Sequence, residues 1–122
     1  MLSVYPACFF KESNGYSVIF PDLNYLSTCG VTLDEALKMA VDCLAGYLYT
    51  CKREGEEVPA PSPVSAVDAR EVAKELEFSS GENPDDSFVN MITVDVDKYA
   101  KNHFEKSVKK TLSIPSWLNT LL

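Results

Sequence analysis

Over the first thirty residues, short apolar runs are broken by turn-forming residues, and beyond residue 31 the apolar spacing lengthens to a helical one. Residues 4–10 and 16–20 are rich in Val, Tyr and Phe, which suit a pleated, half-buried surface, and each reads as a strand. Between them stands Glu12-Ser13-Asn14-Gly15. Asn-Gly supplies the positive φ angles of a tight hairpin turn, so the two strands are predicted to pair antiparallel. Pro21 lacks a ladder donor and Asp22 can bond the backbone that follows it, so residues 21–24 end the second strand. A short third strand fits residues 26–29, with Gly30 breaking it.

Thr32-Leu33-Asp34-Glu35 is a capping box: the Thr32 hydroxyl accepts from the Glu35 amide, and the Glu35 carboxylate returns to the Thr32 amide. Leu33, Ala36, Leu37, Ala40, Val41, Leu44, Tyr47, Leu48 and Cys51 then recur at three- and four-residue steps, giving one apolar stripe. Asp34, Lys38, Asp42 and Lys52 lie off it, and Gly55 is the predicted stop. This helix is predicted to cover the hairpin sheet. Burying each large side chain contributes roughly 1.5 to 3 kcal/mol, so the stripe carries much of the core's gross stabilisation.

Three prolines at alternate positions, Pro59, Pro61 and Pro63, force an extended connector. Residues 65–77 place Val67, Val72 and Leu76 at helical spacing over a short stretch, as a short helix or an ordered loop, and residues 79–86 form a turn-rich acidic loop. Residues 87–96 read as a further strand that completes the sheet. Residues 97–106 read as a short helix capped by Asp97, with Tyr99, Ala100, His103 and Phe104 toward the core. A basic strand follows, then Pro115 at a helix start. The predicted class is α+β: a small antiparallel sheet of three to four strands packed on one long helix, with a short C-terminal ribbon-helix element.

A length of 122 residues allows one core and an appended element, divided here as 1–105 and 106–122. With 46% apolar and 24% charged residues the chain has the balance of a folded protein. No apolar run approaches the roughly 20 residues that span a bilayer, and residues 1–6 show neither a basic segment nor a long apolar one, so no membrane association and a cytoplasmic location are expected. Cys8, Cys29, Cys43 and Cys51 form no C-x-x-C pair and have His103 as their only histidine companion. Reduced, partly buried thiols are predicted, with no metal and no cofactor. A net charge of −7 argues against a main surface that holds nucleic acid and favours a basic partner. The charge is unevenly spread: residues 68–86 carry seven acidic and two basic side chains, and residues 106–110 carry three lysines and no acid.

Three stretches resemble the HicB antitoxin family: Tyr5-Pro6-Ala7; Gly15-Tyr16-Ser17-Val18-Ile19-Phe20-Pro21-Asp22-Leu23; and Gly30-Val31-Thr32-Leu33-Asp34-Glu35-Ala36-Leu37. The family pattern runs Y-P-A, then a hairpin with G-Y-x-V-x-F-P-D-L, then a G-x-T-x-x-E-A helix start. The match covers roughly the first 60 positions, including the Pro-rich run. The family commonly continues with Pro-Gly-Cys where this chain has Asn24-Tyr25-Leu26. The resemblance implies a sheet on a helix similar to a partial ribonuclease H or double-stranded RNA-binding fold. It further implies binding and silencing of a HicA-like basic toxin that cleaves mRNA, and a homodimer or tetramer whose C-terminal element binds operator DNA. Residues 108–122 look like the ribbon and first-helix start of a ribbon-helix-helix module, before the second helix of such a module. Strand alternation puts Leu112 and Ile114 inside and leaves Lys109, Thr111 and Ser113 as the DNA-binding residues.

Competing readings remain at several positions. Asp22, Asp34 and Glu35 have the chemistry of a ribonuclease H metal cluster. Their local settings instead make them a turn residue, a helix-start charge and a capping partner, so no catalytic residue and no metal ligand is assigned. His103 has no nucleophile or carboxylate at fixed helical spacing and reads as a packing residue. The acidic residues of 71–86 either mimic phosphate or form a solvated insert. Lys106, Lys109 and Lys110 either serve a DNA-reading ribbon or guard an exposed strand edge. The functional expectation is a non-enzymatic antitoxin; the alternative is an orphan regulator or nucleic-acid-binding module on a degenerate ribonuclease H-like fold.

Overall fold

The computed structural model describes residues 2–76 and 87–105. Strands β1 (Leu2–Glu12) and β2 (Gly15–Phe20) form the predicted hairpin, with Glu12 opposite Gly15 and Phe9 opposite Val18. β1 is longer than its local sequence suggests because it also pairs, from Leu2↔Asp95 to Phe10↔Ser87, with strand β4 (Ser87–Asp95). Strand β3 (Leu26–Gly30) pairs with β2, and the antiparallel sheet runs in the order β3-β2-β1-β4.

Gly30 is the last residue of β3 rather than its breaker, and its lack of a side chain serves packing. A Cβ there would lie 2.4 Å from the Ala36 amide nitrogen and 2.7 Å from the Ala36 Cα. Gly15, at φ +146°, is equally confined: a Cβ would meet the Gly30 carbonyl oxygen at 2.3 Å. Hairpin end, β3 end and helix start therefore touch through their backbones.

Helix α1 (Leu33–Glu54) starts at Thr32, whose hydroxyl accepts from the Glu35 amide at 3.1 Å. The Glu35 carboxylate reaches the Val31 amide at 2.7 Å, one residue before the Thr32 amide of the predicted capping box. Val31 follows the last paired residue of β3 and offers a donor that the ladder does not use. Gly55, at φ +69°, ends the helix in the left-handed conformation, and the Glu56 amide donates to the Cys51 carbonyl at 2.9 Å. From Ala36 onward the stripe packs Ala40, Leu44, Ala45 and Leu48 on Tyr5, Ala7, Phe9, Val18, Phe20, Leu23, Ile92 and Val94. Leu33, placed on the core stripe by its spacing, is exposed, because it precedes the contact at Gly30 that brings the helix onto the sheet.

The sheet is covered on its other face as well, where the sequence predicted a single covering helix. After one 3-10 turn (Val64–Ala66), helix α2 (Ala69–Glu75) is capped by Asp68, which accepts from the Arg70 amide at 2.9 Å. Ala69 and Val72 pack on Cys8, Phe10 and Ile19 in a second apolar cluster, with Val67, Leu76 and Val89 at its margin. The proline connector is tied down by side chains: the Tyr5 hydroxyl donates to the Pro59 carbonyl at 2.5 Å, and Asp22 accepts from the Ser62 amide at 2.7 Å and hydroxyl at 2.8 Å.

Helix α3 (Val96–Ala100) runs into a π-helical turn, Lys101–Glu105. Its cap is Asp95, which accepts from the Lys98 amide at 3.2 Å, and not the predicted Asp97, which instead pairs with Lys52 at 3.0 Å. Ala100 is buried and Tyr99 and Phe104 are half-buried, but His103 is exposed and stacks on the Tyr99 ring at 3.9 Å instead of entering the core.

The Gly30 contact gives a direct stability test. Gly30→Ala forces backbone against backbone and should cost about 2 to 3 kcal/mol in urea unfolding; a change below about 0.5 kcal/mol would show that strand and helix do not meet there. The thiols give a second. All four cysteines are free, with Cys8 and Cys51 buried and Cys29 exposed. Burial, helped by Asp68 and Asp22, pushes the Cys8 thiol up to about 11, leaving roughly a thousandth of it as thiolate at pH 8. Alkylation of the folded protein at pH 8 should label Cys29 first and leave Cys8 unmodified until denaturant is added; rapid Cys8 labelling would contradict the packed second layer.

Candidate functional site

Asp22, Asp34 and Glu35, the carboxylates with the chemistry of a metal cluster, do not assemble into one centre. Lys109, Thr111 and Ser113, the ribbon residues, lie outside the described residues. Asp22 is committed to Ser62, Asp34 forms an i,i+4 pair with Lys38 at 3.2 Å, and Glu35 binds the Val31 amide. Among the described residues no three His, Cys, Asp or Glu side chains gather to hold a metal ion. Of the acidic stretch, Glu71 and Glu75 are on α2, and the part from 77 to 86 lies outside the described residues.

Two surface features stand out instead. The first is the elbow of α3 and the π turn, anchored across α1. The Tyr99 hydroxyl donates to Asp42 at 2.8 Å, Lys52 pairs with Asp97, and the Phe104 ring lies 5.3 Å from Tyr49 and 5.6 Å from Tyr99. Burial, with the bond to Asp42 and its charge, pushes the Tyr99 hydroxyl up to about 12, so it stays protonated and keeps donating at neutral pH. The sequence continues from this anchored elbow into the lysines at 106, 109 and 110.

The second feature surrounds β3. Asn24 and Tyr25 both have φ +60°, a left-handed conformation that non-glycine residues seldom adopt. Side chains hold them there: Asn24 Nδ2 donates to the Tyr47 hydroxyl at 3.3 Å, and the Tyr25 hydroxyl donates to Glu75 of α2. That second bond links the loop before β3 to the far layer of the fold. Sequence reading missed it because partners fifty residues apart leave no local pattern. β3 itself forms one border of the sheet, flanked by α1 residues Met39 and Cys43, the Cys43 thiol lying 3.9 Å from the Ser27 carbonyl. No helix among the described residues is long and apolar enough to cross a membrane.

Known proteins share this arrangement. Residues 5–120 match the family model described as HicB_like antitoxin of bacterial toxin-antitoxin system. A 53-residue stretch is 42% identical to Antitoxin HicB 1 of Photorhabdus laumondii, covering 43% of this chain and 34% of that protein. The chain spans less than half the length of the curated relatives it matches. Among solved structures, a chain of the toxin-antitoxin complex from Streptococcus pneumoniae superposes with a TM-score of 0.72 at 32% identity, over 99% of this chain and 86% of that one. The N-terminal domain of Burkholderia pseudomallei antitoxin HicB superposes with a TM-score of 0.54 at 26% identity, over 76% of this chain and 99% of that domain. The hairpin, capped helix and four-stranded sheet, together with a family match over nearly the whole sequence, make this chain a member of the HicB-like antitoxin family.

Proposed function

We propose that this chain is an antitoxin that binds and neutralises a HicA-type toxin in the cytoplasm. The observation that carries the reading is the likeness, over 99% of the chain, to a chain of the toxin-antitoxin complex from Streptococcus pneumoniae. Charge supports it: an acidic chain of net charge −7 is suited to steering and holding a cationic, RNA-binding partner. Neutralisation of this kind needs surface cover and no chemistry. The carboxylates of Asp22, Asp34 and Glu35, each with a structural partner, fit a protein that does no catalysis.

The second half of the proposal concerns residues 106–122. In it they pair as a ribbon across a homodimer, or within a tetramer, and read operator DNA through Lys109, Thr111 and Ser113, so that the chain represses its own operon. The shift from an acidic body to a lysine-rich segment supports a second, anionic partner.

Co-expression with any small basic protein encoded beside this chain should relieve growth arrest, and the two should co-purify; failure of both sinks the antitoxin reading and favours an orphan regulator. For the DNA half, Lys109→Ala and Thr111→Ala should each weaken the gel shift of the chain's own promoter roughly tenfold or more, the equivalent of about 1 to 3 kcal/mol per base contact. Equal binding by wild type and both variants would reject the ribbon assignment.

A further inference from the structure

An outer strand presents unpaired N–H and C=O groups, a template on which another chain can add a strand. Proteins usually guard such edges with Lys, Pro or an inward-pointing charge. β3, Leu26-Ser27-Thr28-Cys29-Gly30, contains none of these, and among the described residues no strand pairs with its outer side.

A shallow recess opens at each end of this strand, between it and α1. One, of about 410 Å³, lies where the hairpin end (Glu12, Gly15 and Tyr16) meets Gly30, Val31, Glu35 and Met39. The other, of about 470 Å³, is bounded by Leu26, Cys43, Gly46 and Tyr47, with Asp42 and Glu56. Val31 and Met39 are 72% and 39% exposed, so apolar surface is on offer beside the carboxylates. Among the described residues, neither recess is lined by a Lys or Arg. A recess beside the opposite border strand, β4, differs in having Arg70 next to Asp68. From Leu26 to Gly30 the strand advances roughly 13 Å, the distance between residues i and i+4 of a neighbouring strand, which point to one face.

We infer that the β3 edge receives an extended basic segment of the toxin, which adds as a fifth strand and sends two side chains four residues apart, Lys or Arg among them, into the two recesses. The inference rests on the antitoxin reading and names its surface. Long cationic side chains match both halves of each recess, since their stems cover apolar surface while their heads meet the carboxylates. A second copy of this chain is the wrong occupant: two β3 edges meeting antiparallel would set the Glu12 and Glu35 end of one copy against the Asp42 and Glu56 end of the other, acid against acid.

Calorimetry with a purified HicA-type toxin that binds this chain tests the site. Met39→Lys places a cation in the recess at an exposed position, and Cys29→Pro removes an edge donor; each should weaken binding tenfold or more. Val64→Lys, at a comparably exposed apolar position away from β3, should bind as wild type does. Because Cys29→Pro can disturb the sheet, alkylation of Cys29 in the wild-type chain supplies a readout without mutation, and should slow at least tenfold in the complex. Equal affinities together with an unchanged Cys29 alkylation rate would overturn the β3 site and leave the antitoxin reading standing. Absence of any complex between wild type and a HicA-type toxin would overturn both. A self-association abolished by Met39→Lys with toxin binding intact would assign the edge to a second copy and overturn the inference.

Discussion

The close backbone contact among Gly15, Gly30 and Ala36 governs how the layers of this protein meet. Without side chains at the two glycines, the hairpin end, the end of β3 and the first turn of α1 come within a distance that no Cβ would permit. That approach starts the helix on the sheet, and the stripe from Ala36 to Leu48 then runs down over Phe9, Val18 and Phe20. It also fixes what is left open. α1 packs on β3 itself, so that among the described residues no strand covers the outer side of β3 and a helix surface lies beside it, and the elbow of α3 finds its place on the flank formed by Asp42, Tyr49 and Lys52.

What local sequence encodes is what local physics decides. Asn14-Gly15 carries the hairpin, Thr32 and Glu35 carry the helix start, and Gly55 carries its end, since each acts on backbone groups within a few residues. The sheet and the long helix were legible for that reason. The second layer was legible only in part: the spacing of Val67, Val72 and Leu76 allowed a short helix, whereas its place on the apolar face offered by Cys8, Phe10 and Ile19 was hidden, because those residues are far away in sequence. The cap of α3 fell on Asp95 because β4 ends there and Asp97 is engaged by Lys52, a choice made by tertiary contact. The surface about β3 was equally hidden, as Leu26, Met39 and Cys43 are brought together only by packing.

The polar side chains of the body follow a consistent logic. Asp22, Tyr5, Tyr25 and Tyr99 each bridge elements separated by at least forty residues, tying connector to sheet, loop to far layer and elbow to helix. In a small fold with limited apolar surface, such tethers hold long connections in place and give the molecule a defined outer shape. Groups with the chemistry of a nuclease site are thereby used as structural ties. The acidic surface that remains is suited to holding a cationic partner.

Neutralisation by cover is the claim on which the functional reading stands, and a titration measures it. RNA cleavage by the purified toxin, followed as this chain is added, should fall in proportion to the complex formed and reach background at stoichiometric saturation. A toxin that is saturated with the chain yet still cleaves RNA at its free rate would contradict that claim.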